Sequence, residues 1–511
     1  MDILKDILIY SEAKPLLFTR LYFWGFFAFL LIFYSIIYKK NPLRNAYLFF
    51  MSLFFYYKSG GYFFSLLIFS TIVDFTLGQL IYSAKTITKK KIFVATSVFI
   101  NLSLLAYFKY AYFFTDLFNT AFHTDIKVIN LLADWTNNLT GSSFNISAII
   151  LPVGISFYTF QTISYTVDVY RNKLKPVKNI IDFGFYVSFF PQLVAGPIVR
   201  AAEFIPQLYQ KFKLSRQEFG HAIFLILNGL IKKMLISDYI SINFVDRVFD
   251  SPLSFTGFEN LMAVYGYSIQ IYCDFSGYTD IAIGVALLLG FRLPINFNSP
   301  YKAMNITDFW RRWHISLSTW LRDYLYIPLG GNKKGKTRTY INLLITMLLG
   351  GLWHGASLRF IIWGGLHGLG LVIHKLWVKL NTRYRKHYTS RSSKNLFSHF
   401  ISVFLTFHLV TFAWIFFRAE SMQDSLGMIK QIFGNFQPEL VPVMISSYNK
   451  IFLIMLIGYL VHWLPASIKE FYRGMFIKSH LSIKILITIL VIFILYQAKS
   501  AEIQPFIYFQ F

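Results

Sequence analysis

The stretch Ile341-Asn342-Leu343-Leu344-Ile345-Thr346-Met347-Leu348-Leu349-Gly350-Gly351-Leu352-Trp353-His354-Gly355-Ala356-Ser357 decides how the chain is read. Its apolar part, Ile341 to Leu352, is about 18 Å long as a helix, too short for a hydrocarbon core of about 30 Å. A longer apolar run, Leu358 to Leu380, follows at once. Basic residues flank the pair, with Lys333, Lys334, Lys336 and Arg338 before it and Arg383, Arg385 and Lys386 after it. Such clusters mark the cytoplasmic side. The pair therefore reads as a hairpin that enters from the cytoplasm and turns inside the membrane, with His354 near mid-depth among glycines that permit close backbone approach. An ionisable group at that depth is a functional candidate by default. Neutral imidazole also costs little to bury, so His367 and His374 read equally well as satisfied core residues.

Outward from this hairpin the chain has the composition of an all-α polytopic membrane protein. Of 511 residues, 55% are hydrophobic, 20% aromatic and only 14% charged, and the mean hydropathy is +0.50, which excludes a water-soluble surface. The 49 Lys and Arg against 24 Asp and Glu, a formal charge of +25, sit between apolar runs. There they set topology and meet anionic lipid headgroups of the bilayer, so no nucleic-acid partner is expected. One cysteine, Cys273, excludes an intramolecular disulfide and a cysteine metal cluster, and no metal site is expected.

The first run, Leu16 to Ile37, is longer than a signal-peptide core, lacks a small-residue cleavage site and reads as a retained anchor. Lys39, Lys40 and Arg44 after it place the N-terminus outside. Ala46 to Tyr57 and Tyr62 to Tyr82 read as a hairpin about Lys58-Ser59-Gly60-Gly61, returning to Lys85, Lys89, Lys90 and Lys91. Phe93 to Phe118 crosses outward, and Ile146 to Val169 crosses back. Ile181 to Val199, broken by Pro191, Gly196 and Pro197, suggests a kinked or re-entrant element that must be buried in protein. Phe397 to Phe417 crosses outward, Ile451 to Leu464 returns to Lys469 and Arg473, and Ile485 to Tyr496 ends outside. About ten to twelve helices of about 20 residues fit one polytopic domain over residues 1–511.

Within it, residues 305–380 stand apart as a catalytic segment. Asn305 to Tyr340 contains Phe309-Trp310-Arg311-Arg312-Trp313-His314 and carries seven bases against Asp308 and Asp323. A Trp-rich amphipathic stretch of this kind belongs at the cytoplasmic interface, its aromatics at headgroup depth. It reads either as a lipid anchor or as a cradle for a phosphate-rich donor such as coenzyme A. His354 and His314 are the histidines in dense polar and aromatic surroundings. A histidine with pKa near neutrality can take the proton of a hydroxyl as it attacks a thioester. The chain has no phosphate loop, no H-E-x-x-H and no G-x-S-x-G, which argues against ATP-driven transport, a metalloprotease or a hydrolase elbow. Asp74, Asp168, Asp274 and Asp280 read either as an ion path or as helix-packing groups.

Trp310-Arg311-Arg312-Trp313-His314, Leu321-Arg322-Asp323-Tyr324 and Leu352-Trp353-His354-Gly355-Ala356 together resemble the signature of the membrane-bound O-acyltransferase family, in its bacterial alginate and peptidoglycan O-acetyltransferase branch. Pro152 to Tyr158, Phe190 to Ile198 and Asp274 to Asp280 extend the match. The resemblance implies a helical ring around a thin central layer, with a funnel on each face meeting near His354. It makes His354 the catalytic histidine and His314 the second active-site position. Trp353, Asp323, Asp274 and Ser276 become further active-site candidates, and Arg311, Arg312, Arg322, Lys333 and Lys334 donor-binding candidates. It also implies acetyl-CoA as donor substrate with no resident cofactor, an SGNH-hydrolase-type extracytoplasmic partner, an exported polysaccharide or cell-wall glycan as acceptor, and residence in a bacterial inner membrane. The ending Pro505-Phe506-Ile507-Tyr508-Phe509-Gln510-Phe511, within an aromatic tail at 499–511, resembles a terminal motif of the related D-alanylation machinery. Tyr508 is thereby an acyl-carrier candidate, with an aromatic-belt role as the other reading. D-alanyl transfer from a carrier protein and a transporter or lipid flippase remain the competing functions.

Overall fold

The computed structural model describes residues 8–11, 14–194, 196–380 and 396–498, which form helices and no strand. Tyr508 with its tail, and the basic linker holding Arg383 and Arg385, lie outside the described residues. Chain contacts gather into two units, Met1–Val194 with Ile198–Phe212, and Ala195–Pro197 with Lys213–Phe511. Among the described residues, six helical stretches are long and apolar enough to cross a membrane, or up to eight if each of two bent pairs is one span. This is a multi-pass membrane protein.

In the first unit the helices are α1 (Asn41–Gly60), α2 (Phe64–Ser83), α3 (Ile87–Leu105), α4 (Ile155–Tyr170) and α5 (Ile180–Ser188). The first apolar run becomes helical only at Leu21. Leu16 instead bonds the hairpin turn, its N–H donating to the Lys58 carbonyl at 3.2 Å and its carbonyl accepting from Ser59 Oγ at 2.9 Å. The expected α1–α2 hairpin is present. Asn45, near the start of α1, donates to Asp182 at 2.9 Å, while Phe75, late in α2, meets Phe183 at 6.2 Å, so both reach the same turn of α5 and run antiparallel. Gly61 makes the reversal at φ +64°, a conformation open to glycine at no steric cost. The Pro191 region is broken as expected: α5 ends at Ser188, a short helix Phe190–Leu193 follows, and Phe185 to Leu193 are buried throughout.

The second unit contains α6 (Arg216–Leu230), α7 (Gly257–Leu288), α8 (Ile306–Arg312), α9 (Ile315–Leu321), α10 (Lys336–His354), α11 (Leu358–Leu380), α12 (Leu396–Arg418), α13 (Asn449–Trp463) and α14 (Ala466–Lys478). Thr256 starts α7 with a capping box, since its hydroxyl accepts from Glu259 N–H and Glu259 accepts from Thr256 N–H. Helices α6 and α7 touch backbone to backbone: a methyl on Gly229 would stand 2.4 Å from the Gly277 carbonyl oxygen, and one on Gly284 would stand 2.7 Å from that of Ala222. The π-helical turn after α6, Ile231–Ser237, then aims two lysines at α7. Lys232 meets Asp280 at 2.7 Å, and Lys233 bridges Asp274 at 2.5 Å and Asp238 at 2.7 Å. Asp274 and Asp280 thus hold helices together through closed ion pairs.

Candidate active site

Helices α10 and α11 form the hairpin anticipated from residues 341–380. Gly351 faces the Phe360 carbonyl and Gly364 faces that of Met347, where added methyl groups would sit at 2.1 Å and 2.3 Å. Only glycine allows this approach. α10 is longer than its apolar part, because it starts at Lys336, and it ends on His354 itself. The turn Gly355-Ala356-Ser357 then reverses the chain into α11.

His354 is 3% exposed. Its ring lies against Trp353 at 4.9 Å, Trp363 of α11 at 5.1 Å and Phe417 of α12 at 5.2 Å, each close to edge-to-face. Trp353 is the link to His314, whose ring centroid is 6.3 Å from the indole. His314 is fully buried and held in the left-handed region at φ 41°, ψ 56°. Such a conformation in a non-glycine residue is uncommon and must be imposed by its surroundings. Asn296 imposes it. Its carbonyl accepts from Ile315 N–H at 3.0 Å, and its side-chain oxygen accepts from Ser316 Oγ at 2.6 Å, just past the turn. Phe275 of α7 closes on the His314 ring at 4.6 Å.

Two of the three tryptophans of residues 305–340, Trp313 and Trp320, are buried in protein rather than turned to a lipid surface, and Trp310 is half-buried. Trp313 is 2% exposed and packs on Phe309, Phe297 and Trp414, and Trp320 is also buried. Burying an indole among rings gains more contact than an interface provides, and it pulls α8 and α9 inward to bring His314 beside Trp353. The bases of that stretch stay outside. Arg311, Lys333 and Lys334 are exposed, Arg312 pairs with Asp308 at 3.0 Å, and Arg322 pairs with Asp323 at 2.6 Å. The Asp323 carboxylate raises the Arg322 pKa above its ordinary value. Of the remaining candidates, Ser276 is buried on α7, and Asp274 is taken up by Lys233.

Three residues missed at sequence level complete the enclosure: Trp363, Trp414 and Phe417. Trp363 and Trp414 stack at 5.7 Å. Their signal was helical spacing alone, which core aromatics share. His367, one turn from Trp363, is 1% exposed against Trp310, Trp363 and Phe309, and among the described residues neither of its ring nitrogens has a hydrogen-bond partner. His374 is satisfied by Thr307 Oγ1 at 2.9 Å. The site is therefore two buried imidazoles flanking one buried indole, lined by further aromatic rings.

Residues 174–417 match the membrane-bound O-acyltransferase family. The chain is 36% identical to a peptidoglycan O-acetyltransferase of Helicobacter pylori over 78% of its own length and 75% of that protein. It is 38% identical to a probable alginate O-acetylase of Pseudomonas syringae, covering 80% and 74%. A teichoic acid D-alanyltransferase of Bacillus subtilis is 29% identical over 52% of this chain and 69% of that protein.

Proposed function

This chain belongs to the membrane-bound O-acyltransferase family, and on that premise we propose that it moves an acetyl group from cytoplasmic acetyl-CoA across the membrane for O-acetylation of an exported polysaccharide or cell-wall glycan. The enzyme is an acyltransferase; donor, route and acceptor are the reading. The observation that carries it is the pairing of His354 and His314 about Trp353 in a buried aromatic enclosure. His354 is the general base and His314 its neighbour at the donor side. His354 takes the proton of an attacking hydroxyl, the oxygen adds to the thioester carbonyl, and the tetrahedral intermediate expels the thiolate, which takes up the proton. The hydroxyl belongs to Tyr508, which hands the acetyl group to an SGNH-hydrolase-type partner outside the cytoplasmic membrane. Both termini lie on that outer side, and funnels from the two faces meet at His354.

The relatives named as O-acetylases favour acetyl over D-alanyl transfer, being more similar and covering more of the chain. A polar transport path is disfavoured because Asp274 and Asp280 are closed by lysines. Release of CoA from acetyl-CoA by purified protein, absent in His354→Ala, tests the enzyme reading. Peptide mass spectrometry after incubation tests the carrier: acetyl on Tyr508 supports it. Polymer acetylation by a working partner while Tyr508 stays unmodified sinks it.

A further inference from the structure

The loop before α8 and the start of α14 carry cations that the acyl-transfer residues do not use. Lys302 Nζ donates to the Leu464 carbonyl at 2.6 Å. Lys469 Nζ donates to the His462 carbonyl at 2.7 Å and to Ser299 Oγ at 3.2 Å. Two ammonium groups therefore crowd the C-terminal end of α13, and both are half-buried. One lysine there is a common cap, favoured by the helix dipole. A second repels the first. Lys232 lies within electrostatic range of Lys469 and His462, and Arg312 within range of Lys302.

The acids do not balance this group. Asp280 is bonded to Lys232 and Asp308 to Arg312, while among the described residues Lys302 and Lys469 have no carboxylate partner. Burial, with the Arg312 guanidinium nearby, holds the Lys302 pKa below its ordinary value. His462 contributes no positive charge to offset or add, because its Nε2 accepts from Tyr301 N–H at 3.2 Å. Ser299, at φ 45°, is held in a strained conformation at the centre of the group. Excess half-buried positive charge beside a hydroxyl is an arrangement that a phosphate anion completes.

A packed row of rings leads from this group to the active site. Tyr272 lies 4.5 Å from His462 and 5.8 Å from Phe297, Phe297 lies 5.0 Å from Phe275, and Phe275 lies 4.6 Å from His314. The cations and His354 thus stand several rings apart, as the phosphates and the thioester do in a nucleotide thioester. Resting on the donor assignment above, we propose that Lys302, Lys469 and Ser299, backed by Lys232 and Arg312, bind the phosphates of the nucleotide end of the acyl donor. This places donor recognition at the α13–α14 junction rather than on the exposed Lys333 and Lys334.

Equilibrium binding of CoA and of pantetheine, which lacks the phosphates, tests this on full-length protein in nanodiscs of zwitterionic lipid, in the His354→Ala background so that no chemistry intervenes. The expected result is a preference for CoA that falls about tenfold in Lys469→Gln and again in the Lys302→Gln double variant, with Lys469→Arg retaining most of it and melting temperatures confirming folding. Equal CoA affinity in all variants overturns the site, and so does equal weakening of CoA and pantetheine. A repeat with phosphatidylglycerol separates the sources of phosphate: variants that lose only their dependence on anionic lipid mark a headgroup site and overturn the nucleotide assignment. If CoA binds through these lysines yet the unmodified enzyme releases no thiol from acetyl-CoA, the acyl-transfer reading fails while the phosphate site stands.

Discussion

The α1–α2 hairpin reverses at Gly61 and the α10–α11 hairpin at Gly355 to Ser357, yet they treat their buried polar groups in opposite ways. In the first unit Asp74 is 0% exposed and receives Ser97 Oγ at 2.5 Å and Asn101 Nδ2 at 2.8 Å. Arg44 donates to the Leu208 and Gln210 carbonyls at 2.6 Å and 3.1 Å. These partners are short, fixed groups, so the network ties helices together. In the second hairpin the polar group at the turn is an imidazole walled by Trp353, Trp363 and Phe417. Aromatic walls hold the ring by contact on three sides. Close packing is common to both; what differs is whether polar or aromatic side chains surround the buried group.

The comparison breaks most visibly by exchanging what each hairpin loses. His354→Ala should lower thiol release from acetyl-CoA by about 10³-fold or more, within the range of general-base removal, with an unchanged melting temperature. Asp74→Ala should leave kcat of the folded enzyme nearly intact but reduce stability by about 1–3 kcal/mol, since it strands buried donors; loss of activity without loss of stability there would contradict its structural role. Next in size is Gly351→Val, whose side chain meets the Phe360 carbonyl. Forcing α10 from α11 should cost about 10²-fold in kcat, as small displacements of a catalytic group do, read in the same assay. His314 separates ring from backbone: glycine adopts its left-handed turn freely and alanine does not, so His314→Gly should be more stable than His314→Ala by about 1 kcal/mol, while both lose turnover alike. The smallest effect belongs to the exposed Lys333→Gln, which should change the acetyl-CoA KM by less than about twofold.

Much of the second hairpin was readable from residues 341–357, because a short apolar run, glycines at the turn and flanking bases each have one physical meaning in a membrane. His354 and His314 stood out as candidates by their dense polar and aromatic surroundings in the sequence, with the family motifs adding their pairing. The direction of the tryptophans was not readable. Trp310, Trp313 and Trp320 satisfy an interface pattern and a core pattern equally, and only the presence of Phe309, Phe297 and Trp414 opposite Trp313 decides for the core. Trp363 and Phe417 were hidden for the same reason. Lys302 and Lys469 were passed over because 167 positions of chain separate them, and their proximity comes from the end of α13.

Composition and the order of charges along the chain determined a multi-pass helical membrane protein and both hairpins, since hydrocarbon thickness and backbone hydrogen bonding allow few alternatives to such a pattern. Tertiary structure alone decided which polar groups are consumed. Asp274 and Asp280 are closed by lysines one π-helical turn beyond α6, His354 is enclosed by rings from α11 and α12, and two lysines meet at one helix end without an acid. Those outcomes depend on distances between residues far apart in sequence, which neither spacing nor composition encodes.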